Sequence, residues 1–339
     1  RITKMGKVKP HVLFMTIQER IPILALAIVG LLLPVIGSTA GLIATFAILI
    51  WQGLGAGFTA NPWQIMISRI IPGNVRATFF GGQSAAANLL ASLGAVLAGI
   101  ALKRFAPPWD FASCFFTASA LYIISWFFLN QTREPERPLE PDPDPLRPLW
   151  HDVMTIFRGD HEFRNFLISR FISQFGMMAF AFYTVYAVKK LGMDTVAVGV
   201  MTSILMITQV AANPLLGRIA DKWSRKWVLV AGSVASVLSA VLALLIKEPN
   251  LFAFVFILNG IGATAFWTIG LAFSLEFGDE KLRPTYIGMA NTLIAPSTIL
   301  APLLGGLLAD AFGYGVTFMV STVFGLIAVI TLSIMVKGH

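Results

Sequence analysis

The sequence predicts an all-α membrane protein of two pseudo-symmetric helical bundles, the first of them lacking two helices. Three observations carry that prediction: the composition, the number of apolar runs long enough to cross a bilayer, and an internal repeat. Of the 339 residues 56% are hydrophobic and only 12% charged, with a mean hydropathy of +0.77, whereas a soluble domain carries roughly 25% charge. Such a chain cannot cover itself with polar surface, so its solvent is lipid.

Crossing about 30 Å of hydrocarbon at 1.5 Å per residue takes about 20 residues in a helix. Ten runs meet that length: 12–33, 41–60, 79–102, 111–130, 166–188, 196–217, 227–246, 251–275, 285–308 and 316–336. Leu, Ala, Ile, Gly and Phe dominate them without the strict alternation of an outer-membrane barrel, so the spans are helices. The first carries Glu19 and Arg20, more in keeping with an ion pair or loop anchor than with transport chemistry. Spans three and nine carry small residues every fourth position, Ala87, Ala91, Ala95 and Gly99, then Ser297, Ala301, Gly305 and Ala309. In lipid such stripes let helix backbones approach closely. Pro296 and Pro302 in the ninth span and Pro214 in the sixth mark positions where a helix can flex.

Charge sets the expected orientation. If the spans alternate, 18 of the 25 basic residues fall on the side of the chain start, and five (Lys103, Arg104, Lys189, Lys190, Lys247) on the other. The positive-inside rule makes the richer side cytoplasmic, with both chain ends there, in a multi-pass protein of the cell (inner) membrane. The net charge of +8 is thereby topological, and nucleic acid is not needed as a partner. Cys114 is the single cysteine, and His11, His151, His161 and His339 lie at or beyond the ends of apolar runs. That excludes a cysteine cluster and a buried haem or intramembrane metal. No Gly-x-x-x-x-Gly-Lys-Ser/Thr loop, carboxylate pair or Ser/His/Asp set is present within the spans, so no cofactor, no metal and no enzyme are predicted.

Between residues 130 and 166 six prolines (Pro135, Pro138, Pro141, Pro143, Pro145, Pro148) interleave with charges of both signs, an extended solvated linker. Leu149, Trp150, Val153, Met154, Ile156 and Phe157 near one face give a short interfacial helix before the fifth span, or an irregular loop with apolar residues. The domains are therefore 1–130 with four spans, 131–165 as linker, and 166–339 with six.

The repeat appears at an offset of 207 residues. Arg76, Thr78, Phe79 and Gly81 fall on Arg283, Thr285, Tyr286 and Gly288; Gln52-Gly53-Leu54-Gly55-Ala56 falls on Asn259-Gly260-Ile261-Gly262-Ala263. Spans two to four thus copy spans eight to ten in the same orientation, a parallel repeat. Aligning Arg1-Ile2 with Arg218-Ile219 leaves the first half four spans against six, and gives the expectation of two further spans upstream of Arg1.

The stretch Gly217-Arg218-Ile219-Ala220-Asp221-Lys222-Trp223-Ser224-Arg225-Lys226 resembles the Gly-x-Leu-Ala-Asp-Arg/Lys-x-Gly-Arg-Arg/Lys loop of the major facilitator superfamily. It departs from that pattern at Ile219 and Ser224, and it sits where the family has it, between the second and third helices of a half. The resemblance implies a secondary transporter moving a small solute by alternating access about a midplane site, with a proton or other ion gradient as the default drive. A non-transporting receptor or assembly subunit on the same scaffold is the alternative. The resemblance also implies a cytoplasmic gate, in which Asp221, with Gly217, Arg218, Lys222, Arg225 and Lys226 around it, accepts hydrogen bonds from the open helix start near Arg76 to Phe79. A pure topology signal would explain the bases but needs no acid.

The family's cavity-lining helices correspond here to the spans carrying Gln52, Arg170, Gln174, Asn259 and Trp267, with Asn88, Gln209 and Asn291 on neighbouring spans. Amides donate and accept, which suits a pocket that must release its ligand, but amides also bond helix to helix. Arg170 about one turn into its span serves substrate or counter-charge, or snorkels to the nearby interface. Gln83, Asn213, Trp51, Phe266, Phe180 and Tyr183 add amide and aromatic surface. The mix favours an amphipathic, drug-like efflux substrate over a highly charged one. No acid or histidine lies at membrane depth on the spans given to the cavity, which places a proton-coupling carboxylate outside this chain, whereas Glu276 and Asp310 lie at interfaces with structural roles.

Overall fold

The computed structural model describes residues 6–135, 149–278 and 282–337. Every element among them is helical, and nine of the helices are long and apolar enough to cross a membrane. The chain is a multi-pass integral membrane protein. Arg1, Lys4, the linker prolines from Pro138 to Pro148, Lys281 and His339 lie outside the described residues. By its contacts the chain divides into two units, one of residues 1–71 and 90–143, the other of 72–89 and 144–339.

The first unit is built on α1 (Lys9–Ile70), whose 62 residues at 1.5 Å each exceed any bilayer. It is two crossings. Gly37 interrupts it with φ of +79° and ψ of 163°, a conformation open mainly to glycine. The arms fold back on each other about that point: a Cβ on Gly55 would stand 2.6 Å from the Gln18 carbonyl oxygen, and Trp51 Nε1 donates to Gln18 Oε1 at 3.1 Å. α3 (Trp109–Gln131) packs beside the first arm, with Trp126 Nε1 donating to the Leu13 carbonyl at 3.2 Å. Arg20 needs no acid in this setting. Its guanidinium donates to the carbonyls of Tyr122 and Thr16, each at 3.2 Å, and lies over the Tyr122 ring. Glu134 closes the unit by accepting from the Val8 and Lys9 amides, both at 2.7 Å, and from Arg69 at 2.9 Å. A carboxylate thus meets the positive end of α1.

The second unit contains α4 (Leu149–Gly159), α5 (His161–Gly176), α6 (Tyr183–Leu191), α7 (Thr195–Lys222), α8 (Arg225–Leu245), α9 (Ala253–Thr264), α10 (Gly270–Ser274), α11 (Arg283–Phe312) and α12 (Tyr314–Met335). The start of α2 (Arg76–Arg104) belongs to it as well. Its core gathers Tyr183, Phe252, Val255, Phe256 and Phe318, with Ser239 joining Tyr183 Oη and the Val255 carbonyl at 3.0 Å each. Small residues let α5 and α12 touch backbone to backbone: a Cβ on Gly176 would stand 2.8 Å from Gly325 Cα. The Ser297, Ala301 and Gly305 stripe of α11 is buried, whereas the Ala87, Ala91, Ala95 and Gly99 stripe of α2 is exposed. Two predicted spans are not continuous α-helix. A 3-10 segment at Met178–Phe182 separates α5 from α6, and a π turn at Ala265–Ile269 joins α9 to α10.

Candidate functional site

The site is a clamp on the first turn of α2, built inside the second unit. A helix start leaves its first N–H groups without intrahelical acceptors, and partial positive charge collects there. Asp221 answers both needs. Its Oδ1 accepts from the Ala77 amide at 3.1 Å and its Oδ2 from the Thr78 amide at 2.6 Å. Asp221 itself lies in the last turn of α7, where a carboxylate is locally disfavoured. The contact to α2 offsets that.

Arg225, at the start of α8, binds the clamp together by meeting Asp221, the Gly73 carbonyl and Glu276 Oε1. Its side chain is 8% exposed and that of Asp221 5%, so these are desolvated charges whose partners matter. Arg76 reaches the Leu275 carbonyl at 3.3 Å. Arg218 and Lys222 are exposed, and Lys226 stacks on Trp227 at 5.0 Å. The basic cluster therefore splits into one buried arginine that bridges and three cations that do not touch the clamp's acids. Glu276, a structural interface residue in the sequence reading, is a clamp member. An acid directly following an apolar run was the only signal for it.

Two glycines allow α2 and α7 to meet this closely. A Cβ on Gly217 would stand 2.5 Å from the Ala77 carbonyl oxygen, and one on Gly81 would collide with the Asn213 carbonyl. Above them a polar ladder continues into the span. Thr268 donates to Asn213 Oδ1 at 2.7 Å and meets Ser84 Oγ at 3.3 Å; Asn213 Nδ2 returns to the Gln209 carbonyl at 2.8 Å. Asn88 Nδ2 reaches Gln209 Oε1 at 3.4 Å. Asn88 and Gln209, read from sequence as cavity amides, face each other across the two helices.

The other cavity candidates are dispersed. Gln52 is half-buried on the second arm of α1, Asn291 is exposed on α11, and Trp267 is 55% exposed on the π turn. Gln174 and Asn259 are buried at 6% and 3%, with Gln174 Nε2 and Asn259 Nδ2 lacking hydrogen-bond partners among the described residues. Arg170 does not snorkel. It turns inward, donating from Nη1 to the Phe266 carbonyl at 2.8 Å with its guanidinium 4.2 Å from the Phe266 ring centroid. Tyr183 is core, at 2% exposure. Among the described residues no group of His, Cys, Asp and Glu is placed to hold a metal.

The model of the Major Facilitator Superfamily matches residues 166–337. Among curated proteins, Multidrug resistance protein 1 of Bacillus subtilis (strain 168) is 29% identical over 164 residues, 48% of this chain and 42% of that protein. Multidrug resistance protein MdtL of Escherichia coli O157:H7 (strain EC4115 / EHEC) is 27% identical over 134 residues, 40% of this chain and 34% of that protein. The chain thus covers less than half the length of these relatives. Among solved structures, a variant of the E. coli fucose:proton symporter FucP aligns with a TM-score of 0.76 at 10% identity, covering 99% of this chain and 85% of that one. A bacterial homologue of the iron transporter ferroportin in an outward-facing state gives 0.73 at 15% identity, covering 98% and 84%. With the family model spanning half the chain, the same all-α fold and the Asp221 loop in its expected place, this protein belongs to the Major Facilitator Superfamily.

Proposed function

We propose that the protein is a secondary transporter that moves a small solute by alternating access, two pseudo-symmetric bundles rocking about a site near the midplane. The observation that carries this reading is the clamp. A buried aspartate on a helix start, bridged by Arg225 to Glu276, is an arrangement that can be made and broken as a unit, which a static scaffold does not require. On this reading the clamp holds the face carrying the basic loop closed. That face is cytoplasmic, both chain ends lie there, and the membrane is the inner, cell membrane, all argued from the distribution of lysine and arginine. The division into 1–130, a linker at 131–165 and 166–339 is the corresponding domain proposal.

The substrate proposed is an amphipathic organic compound, in keeping with the printed names of the two multidrug relatives. A proton or other ion gradient supplies the drive. Loading proteoliposomes with a fluorescent amphipathic dye and imposing a pH gradient tests this directly: protein-dependent, gradient-dependent dye movement is expected. Identical leakage from vesicles with and without protein refutes transport of that class.

A further inference from the structure

The corner where α7 passes into α8 carries four bases, and the clamp uses one of them. Arg225 is buried in it, whereas Arg218 and Lys222 are exposed and Lys226 is half-buried. Among the described residues none of these three makes an ion pair; Lys226 Nζ lies 5.0 Å from the centroid of the Trp227 ring. The clamp acids Asp221 and Glu276 are already engaged by Arg225 and the α2 amides. The corner therefore presents three cations that the clamp does not neutralise.

Topology accounts for bases at a helix end. It does not account for what surrounds them. Trp223, the residue that ends α7, is 74% exposed, and Trp227 in the first turn of α8 is exposed as well. Both helices are long and apolar enough to cross a membrane, so their junction lies at the boundary with water, the level at which indole rings meet lipid headgroups. Along α7, Ile207, Leu215, Arg218 and Lys222 follow at spacings of eight, three and four, which keeps them on one face, and all four are exposed. Along α8, Trp227, Val234 and Leu238 follow at seven and four, again on one exposed face. Each column is apolar at membrane depth and ends at the corner in a base or a tryptophan. Beside Trp223 a cavity of about 230 Å³, bordered by Asn74 and Ser224, leaves room at the headgroup level. A nucleic acid or an acidic protein would meet the cations and leave the apolar columns unused, whereas a phospholipid uses both.

We propose that Arg218, Lys222 and Lys226, with Trp223 and Trp227, form a binding site for the headgroup of an anionic phospholipid whose acyl chains lie along the exposed faces of α7 and α8. The site does not rest on the transporter reading. The purified protein in detergent is titrated with dioleoyl phosphatidylglycerol or dioleoyl phosphatidylcholine, and bound lipid is counted by native mass spectrometry. Phosphatidylglycerol is expected to bind at least about tenfold more tightly, because each base near the headgroup favours the anionic lipid. The triple variant Arg218→Gln, Lys222→Gln, Lys226→Gln should weaken phosphatidylglycerol binding by at least about tenfold and leave phosphatidylcholine unchanged. The double variant Lys189→Gln, Lys190→Gln, two bases in the last turn of α6, should bind both lipids as the parent does. Trp223→Ala removes an exposed ring that makes no side-chain hydrogen bond with the described residues, and should weaken phosphatidylglycerol binding about threefold with the charges intact. Equal affinity for the two lipids overturns the proposal, as does an equal loss in the Lys189, Lys190 variant. So does unchanged phosphatidylglycerol binding in the triple variant or, should that variant fail to fold, in Trp223→Ala. Displacement of the lipid by sodium phosphate would make the corner a site for free phosphate and overturn it too.

Discussion

Replacing Asp221 with asparagine keeps the shape of the side chain and removes its charge. Two hydrogen bonds from backbone amides, at 3.1 and 2.6 Å, then fall on one remaining carbonyl oxygen, and Arg225 loses one of its two carboxylates. A carboxylate at a helix start in a partly buried setting contributes up to about 2 kcal/mol. A hydrogen bond to a charged group contributes about 1.5–3 kcal/mol. Glu276 still compensates Arg225, which keeps the net effect near the lower end, about 2 kcal/mol. That corresponds to roughly a 30-fold shift between clamped and unclamped states. The assay uses Ser84→Cys, a ladder position above the clamp, in a Cys114→Ser background, with a membrane-permeant thiol reagent. Labelling should speed up by roughly that factor in Asp221→Asn, with ligand affinity nearly unchanged. Equal labelling rates with and without Asp221 would mean that the carboxylate bears no part of the closure.

The remaining expectations follow from the same contacts. Removing Arg225 and Glu276 singly and together, as Arg225→Gln and Glu276→Gln, should give a coupling of about 1–3 kcal/mol in a double-mutant cycle on thermal stability; additive effects would dissolve the pair. Gly217→Val forces a side chain onto the Ala77 carbonyl and should cost about 1–3 kcal/mol of stability, read as a lowered unfolding midpoint, whereas an unchanged midpoint would deny the close packing of α2 on α7. Gly37→Ala must adopt φ of +79° and should lose about 1–2 kcal/mol by the same measure; full stability would mean that the reversal of α1 lies elsewhere. Cysteines placed at Ser224 and Lys189 should label from opposite sides of sealed vesicles, Ser224 from the cytoplasmic side, and labelling of both from one side would overturn the span assignment.

Helix content and span number were legible in the sequence because lipid imposes them, and the clamp loop was legible through its resemblance to a family motif. Apolar length dictates crossing, and an acid among loop bases has no topological purpose. The partner of Asp221, the helix start at Arg76 to Phe79, came from the family resemblance, and the open amides of a helix N-terminus give it a physical reason. Arg225 was legible as one base of the gate but not as its bridge, and Glu276 was read as structural. Which base of a cluster turns inward depends on tertiary placement, and only the fold brings residue 276 beside residue 225. Arg20 was assigned an ion pair or loop anchor, and the Tyr122 carbonyl of α3 and the Thr16 carbonyl of α1 accept from it. The π turn left no mark in the periodicity of the eighth run, because five residues of wider winding are invisible amid continuous apolar sequence. Likewise the four-residue stripe of α2 looked like the stripe of α11, but Ala91 and Ala95 are exposed where Ser297 and Ala301 are buried. Small residues permit close approach without requiring it.

On the transporter reading, the contact between α2 and α7 must part during transport. Asn88 and Gln209 face each other across it with their amides 3.4 Å apart, so cysteines at both positions, in a Cys114→Ser background, can be joined by oxidation in proteoliposomes. Cross-linking is expected to stop gradient-driven solute movement, and a reductant to restore it. Cross-linked protein that transports at the rate of its reduced form would contradict the account.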